Sequence, residues 1–144
     1  MDVRAGSPRP DIGTAETLRQ TLRRAKTVAV PGGTKSRFTE ILSRLGISGE
    51  IEVKSTGRGA ESVAMVARGD AQLSIQPVSE ILHVPGVELV GPLPKELEYR
   101  EVYAAAIIAG SKQANAARRL IAFLSAERAT AAIRKSGMEP SRRR

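Results

Sequence analysis

The stretch from Thr27 to Gly46, TVAVPGGTKSRFTEILSRLG, constrains the fold more than any other part of this chain. Thr27-Val28-Ala29-Val30 is a short β-branched run of strand type, and the cluster Pro31-Gly32-Gly33-Thr34 interrupts it. Adjacent glycines take positive φ without steric cost, so the chain can reverse there and leave backbone N–H groups open. Phe38, Ile41, Leu42 and Leu45 then recur at spacings of 3, 4 and 7, the apolar stripe of a helix. Thr34 or Ser36 is placed to cap its start and Gly46 its end. A strand turning through glycines into a helix aims unpaired N–H donors and the positive end of a helix dipole at one point, which suits an anion. The same glycines would serve equally well merely to close a βα turn. The spacing is not that of a phosphate-binding P-loop, because no Lys-Ser/Thr pair follows at the required distance, and G-x-G-x-x-G is absent.

The remaining segments continue the alternation. Residues 1–13, rich in Pro, Gly and Arg, read as an extended opening segment. From Thr14, a capping residue, Leu18, Leu22 and Ala25 line one side of a helix. Ile51-Glu52-Val53-Lys54 alternates with period two and predicts a short strand. Ser55-Thr56-Gly57-Arg58-Gly59 is a second glycine turn, opening a helix over 60–68 in which Val63, Met65, Val66 and Ala67 are apolar and which Gly69 closes. Residues 71–76 predict a strand, Pro77 the start of a helix over 78–82, and residues 87–90 a further strand. The longest apolar run, residues 102–109 (VYAAAIIA), predicts a strand buried on both faces. Two helices follow: 113–125 with Ala116, Ala117, Leu120, Ile121 and Leu124 inward, and 127–136 with Ala131, Ala132 and Ile133 inward.

Strands alternating with helices at this spacing predict an α/β fold with a mostly parallel sheet and helices layered against it. Ligands in such sheets bind beyond the carboxyl ends of the strands. Both glycine turns lie at strand-to-helix junctions, so they are expected to face one crevice. Gln76, at the end of the next strand, is a further candidate donor there.

Composition narrows the chemistry. The chain has 144 residues and no cysteine, which excludes a disulfide, a thiolate nucleophile or a zinc-thiolate site. The lone His83 excludes a His-rich metal site, and no Ser or Asp pattern beside it suggests a triad. Asp and Glu are not paired at an acid–base spacing. Enzyme activity is therefore not expected, and no catalytic residue, metal or cofactor is assigned. No apolar run approaches the roughly 20 residues that span a bilayer, and residues 1–13 lack the apolar core of a signal peptide. The net charge is +8, and residues from Val102 onward carry nine Lys/Arg against Glu127 and Glu139. A basic end of this kind can bind nucleic acid, but it reads equally as a solvated helix face. Phe38, Tyr99, Tyr103 and Phe123 are too few and scattered for a base-stacking platform, which argues against a nucleic-acid partner.

Several pieces, read together, point to a family. Val66-Ala67-Arg68-Gly69-Asp70-Ala71, the segment from Pro85 to Pro94, and residues 117–125 (ARRLIAFLS) with Gly137-Met138-Glu139-Pro140 resemble the molybdate-type periplasmic solute-binding proteins of ABC importers. The resemblance runs from about Pro10 to Pro140. It implies one lobe of a type 2 periplasmic binding protein, a three-layer sandwich, with residues 14–100 as the α/β lobe. Residues 101–140 would be the strand and two helices that cross back to the other lobe, and 141–144 a basic tail. The resemblance also implies a non-enzymatic binder of a small, molybdate-like oxyanion, a permease partner and a periplasmic location. Carried over by position, its ligand contacts are Gly32, Gly33 and Thr34, then Arg58, Gly59 and Ala60, then Gln76. The portion that opens the family's chain is not represented here, so the apolar faces of 102–140 are expected to find cover by self-association, with this C-terminal segment exchanged between two copies. A ligand-sensing or protein-interaction module that has kept the lobe and lost transport is the alternative.

Overall fold

The computed structural model describes residues 1–32 and 37–140, in two compact units, Met1–Tyr99 and Arg100–Arg144. The caps expected at Thr34 and Ser36 lie outside the described residues.

The first unit is an α/β sandwich. In chain order it comprises β1 (Asp2–Arg4), α1 (Ala15–Ala25), β2 (Thr27–Pro31), α2 (Arg37–Arg44), β3 (Glu52–Thr56), α3 (Gly59–Arg68), β4 (Leu73–Ser74), α4 (Val78–Ile81) and β5 (Val87–Leu89). The sheet runs in the order β3-β2-β4-β1-β5. β2 pairs in parallel with β3 and with β4, while β1 pairs antiparallel with β4 and β5. Four of the five strands therefore point the same way.

Alternation along the strands decides the layers. Val28 and Val30 turn to the main core, where Leu18, Leu22 and Ala25 from α1 meet Phe38, Ile41 and Leu42 from α2. Ala29 turns to the opposite face and packs with Val66 and Met65 of α3 and with Ala71. Helices thus cover both faces, as the spacing predicted. Leu18 and Leu22 are fully buried, and each such side chain contributes about 1.5–3 kcal/mol. α1 begins in a reciprocal cap: Thr17 N–H donates to Thr14 Oγ1 at 3.1 Å, and Thr14 N–H to Thr17 Oγ1 at 3.0 Å.

One element was not legible beforehand. The opening residues do not simply run along the surface: Asp2–Arg4 enters the middle of the sheet, with Met1 and Val3 in the main core. Three residues carry too little pattern to announce a strand, and the edges of β4 and β5 are what recruit them.

The second unit contains α5 (Ala114–Leu124), a 3-10 turn (Glu127–Ala129) and α6 (Thr130–Lys135). The strand expected over 102–109 is absent, and its side chains stand in solvent, with Val102 88% and Ile108 81% exposed. A strand needs an edge to pair with, and among the described residues this unit has none. The inward faces expected for its helices are likewise not buried: no residue of α5 or α6 is, and Leu120, Phe123 and Leu124 are exposed.

Candidate functional site

Three strand ends define the site. Register brings Pro31 of β2 opposite Thr56 of β3, so the turns that follow these strands leave the same edge of the sheet. β4 runs parallel to β2, with Ala29 opposite Ser74, so Gln76 emerges at that edge too. The chain steps from β2 outward to β3 and then back across β2 to β4, and α/β sheets bind ligands beyond the carboxyl ends where the order reverses in this way.

The turn after β3 is held from within. Thr56 Oγ1 and Ser62 Oγ share a buried hydrogen bond of 2.6 Å, and Thr56 Oγ1 lies 2.9 Å from the Arg58 carbonyl. The Arg58 carbonyl also accepts from Glu61 N–H at 3.1 Å. Arg58 is the extended capping residue of α3 and makes no side-chain cap bond; its side chain is exposed. Gly59 and Ala60 are the first two residues of this ten-residue helix, and their N–H groups have no intrahelical acceptor. Gly57 N–H donates to Glu61 Oε2 at 3.1 Å. The acidic Glu61 in the first turn complements the helix dipole.

Gln76 is 8% exposed, and neither its Nε2 nor its Oε1 has a hydrogen-bond partner. Leaving such a group unpaired costs about 1–3 kcal/mol, so a ligand that pairs it recovers a comparable amount. Pro77 follows at φ −52° and starts α4, which anchors the backbone beside it. A Cβ added to Gly59 would stand 2.7 Å from Gln76 Oε1 and 3.1 Å from Glu80 Oε2. The absence of a side chain at Gly59 is what lets these two groups approach the start of α3.

Of the anticipated residues, Arg58, Gly59, Ala60 and Gln76 therefore gather at the start of α3 and the end of β4. Gly32 sits at the same sheet edge with φ 82°, but its N–H donates to the Thr56 carbonyl at 3.0 Å and is committed to the ladder. Gly33 and Thr34 lie outside the described residues. His83 is exposed. Glu80 was missed as a member of the site, having been read as part of a helix start. Glu80 lies in α4 and Gln76 before it, so no helical spacing links them in the sequence, and only packing at the start of α3 brings the two together. Among the described residues no cluster of His, Asp and Glu could hold a metal ion, and no helix is long and apolar enough to cross a membrane.

Comparison with known proteins supplies the lineage. A family described as bacterial extracellular solute-binding protein matches residues 1–139. An aconitate isomerase from a Pseudomonas species is 35% identical over 143 residues, which is 97% of this chain and 55% of that protein. The chain thus spans about half the length of the curated relative it matches. No solved structure gives a significant match. The isomerase overturns the expectation that enzyme activity is foreign to this sequence: a lone His and the lack of a nucleophile motif do not exclude chemistry in a lineage where a relative carries an enzyme's name. The solute-binding expectation stands at family level, and the chain belongs to the bacterial extracellular solute-binding proteins.

Proposed function

We propose that this chain is one lobe of a periplasmic solute-binding protein that holds a small carboxylate at the carboxyl edge of its sheet and delivers it to an ABC-type importer. The observation that carries the reading is the buried, unpartnered carboxamide of Gln76 beside the first-turn N–H groups of α3. Donors fixed in place before the ligand arrives lose little entropy on binding, which is how a concave site gains affinity. Arg58 precedes those donors and can add a charge-assisted hydrogen bond. The relative named for aconitate, a tricarboxylate, favours a carboxylate over a molybdate-like oxyanion. Calorimetric titration with cis-aconitate, trans-aconitate, molybdate and sulfate tests this. A saturable signal with the aconitates and a weaker one with the inorganic anions is expected; silence with all four refutes it.

A second reading follows from the same relative's name: the bound aconitate is also isomerised. Incubating the chain with trans-aconitate and following the vinyl proton by NMR tests it. Appearance of the cis signal above the enzyme-free rate supports the reading, and an unchanged spectrum removes it.

The exposed Val102, Ile108, Leu120, Phe123 and Leu124 also fit a partner surface, which we assign to a second copy of this chain. Light scattering should show a mass that rises with concentration. A monomer at every concentration refutes that assignment.

A further inference from the structure

We propose that the cluster at the start of α3 selects a carboxylate bearing a neighbouring hydroxyl over one that offers acceptors alone. The inference rests on the carboxylate reading above and narrows it.

The argument begins with Gln76. A carboxamide carries an acceptor oxygen and an NH2 donor, and both ends of this one are buried and unpartnered. A fully ionised oxyanion can satisfy the NH2 group but brings nothing to donate to the oxygen. Whichever way the amide is turned, its oxygen still needs a donor.

The surroundings sharpen it. Gln76 Oε1 and Glu80 Oε2 both approach the position a Cβ on Gly59 would take, at 2.7 and 3.1 Å. Two acceptor oxygens therefore border the first residue of α3, while the N–H groups of that turn donate. Glu61 adds a further carboxylate, already engaged by Gly57 N–H. Sulfate or molybdate placed here would set acceptor oxygens against the acceptor oxygens of Gln76 and Glu80, with no hydrogen to share between them. A hydroxy acid meets both demands: its carboxylate accepts from the helix N–H groups, and its hydroxyl donates to the Gln76 or Glu80 oxygen. The preference is a matter of hydrogen-bond sense rather than net charge.

Two probes isolate the hydroxyl. Citrate and propane-1,2,3-tricarboxylate share a carbon skeleton and three carboxyl groups, and differ by one hydroxyl. Titrated calorimetrically into the full chain at pH 7.5, citrate should bind about tenfold tighter, the ordinary net effect of one hydrogen bond. Gln76→Leu removes the carboxamide from both probes, so it should weaken both and close the gap between them, citrate losing about tenfold more than the hydroxyl-free probe. Gln76→Met, closer in shape, repeats the measurement should the leucine variant lose its circular-dichroism signature. Equal affinities for the two probes in the unsubstituted chain overturn the hydroxyl selection and leave carboxylate binding standing. Binding of neither probe overturns both.

Discussion

Replacing Asp2 by Asn should flatten the acid-to-neutral stability profile of this protein. Asp2 lies wholly buried in β1, between β4 and β5. One carboxylate oxygen accepts a hydrogen bond from Ser74 Oγ and the other has no partner. Its register partners on either side, Ser74 and Leu89, carry no charge. Removal from water pushes its pKa up from 3.8 to about 6, outweighing the Ser74 hydrogen bond and the adjacent chain amino group, which act the other way. The folded state therefore keeps its proton at pH values where the unfolded chain has lost it. The stability this contributes is complete below pH 4 and is lost as pH rises through about 6. A shift of about 2 units corresponds to about 3 kcal/mol. Asn keeps the shape and the contact with Ser74 but has no proton to lose. Urea unfolding of both proteins at pH 3.5 and 7.5 reads this contribution, together with a change of the same sign from the buried Met1 amino group, whose lowered pKa falls further once the Asp2 charge is gone. Between those pH values the variant should gain about 3 kcal/mol relative to the unsubstituted chain, on the order of 10 °C in Tm. Glu16 and Glu50 are shifted down, Glu16 by Arg19 and Gln20 and Glu50 by Arg23, and they titrate in both proteins, so they cancel. Parallel pH profiles for the two proteins would refute the reasoning.

Other consequences follow from packing and from the site. Leu22→Ala removes a fully buried side chain between α1 and the sheet and should cost about 2–5 kcal/mol by urea unfolding; a loss below 1 kcal/mol would mean the core collapses around the gap. Thr56→Val leaves the buried Ser62 hydroxyl without its partner and should cost about 1–3 kcal/mol, whereas an unchanged midpoint would show the turn does not depend on that bond. Gly59→Ala places a Cβ 2.7 Å from Gln76 Oε1, so it should weaken citrate binding about tenfold while leaving the circular-dichroism spectrum unchanged. Undiminished affinity would show that Gln76 does not meet the ligand.

The inner layers of the first unit were legible because local pattern and final environment agree there. Leu18, Leu22 and Ala25 on one helix, and Phe38, Ile41 and Leu42 on the next, recur at helical spacing and do face the core. The turn after β3 was also readable, since parallel strands joined by helices must bring their carboxyl ends to one edge. The run at 102–109 misled for a physical reason: apolar content reports what a segment would bury, and burial requires a partner that the segment cannot itself supply.

Sequence alone determined the α/β class and the inner helices and strands of the first unit, because these follow from periodicity and from the chirality of short connections. Only the tertiary structure decided that Asp2–Arg4 completes the sheet, that the Gly32 N–H is already taken, and that Gln76 and Glu80 meet over Gly59. Those are matters of which groups remain unpaired once distant segments have packed, and no local pattern in the chain encodes that remainder.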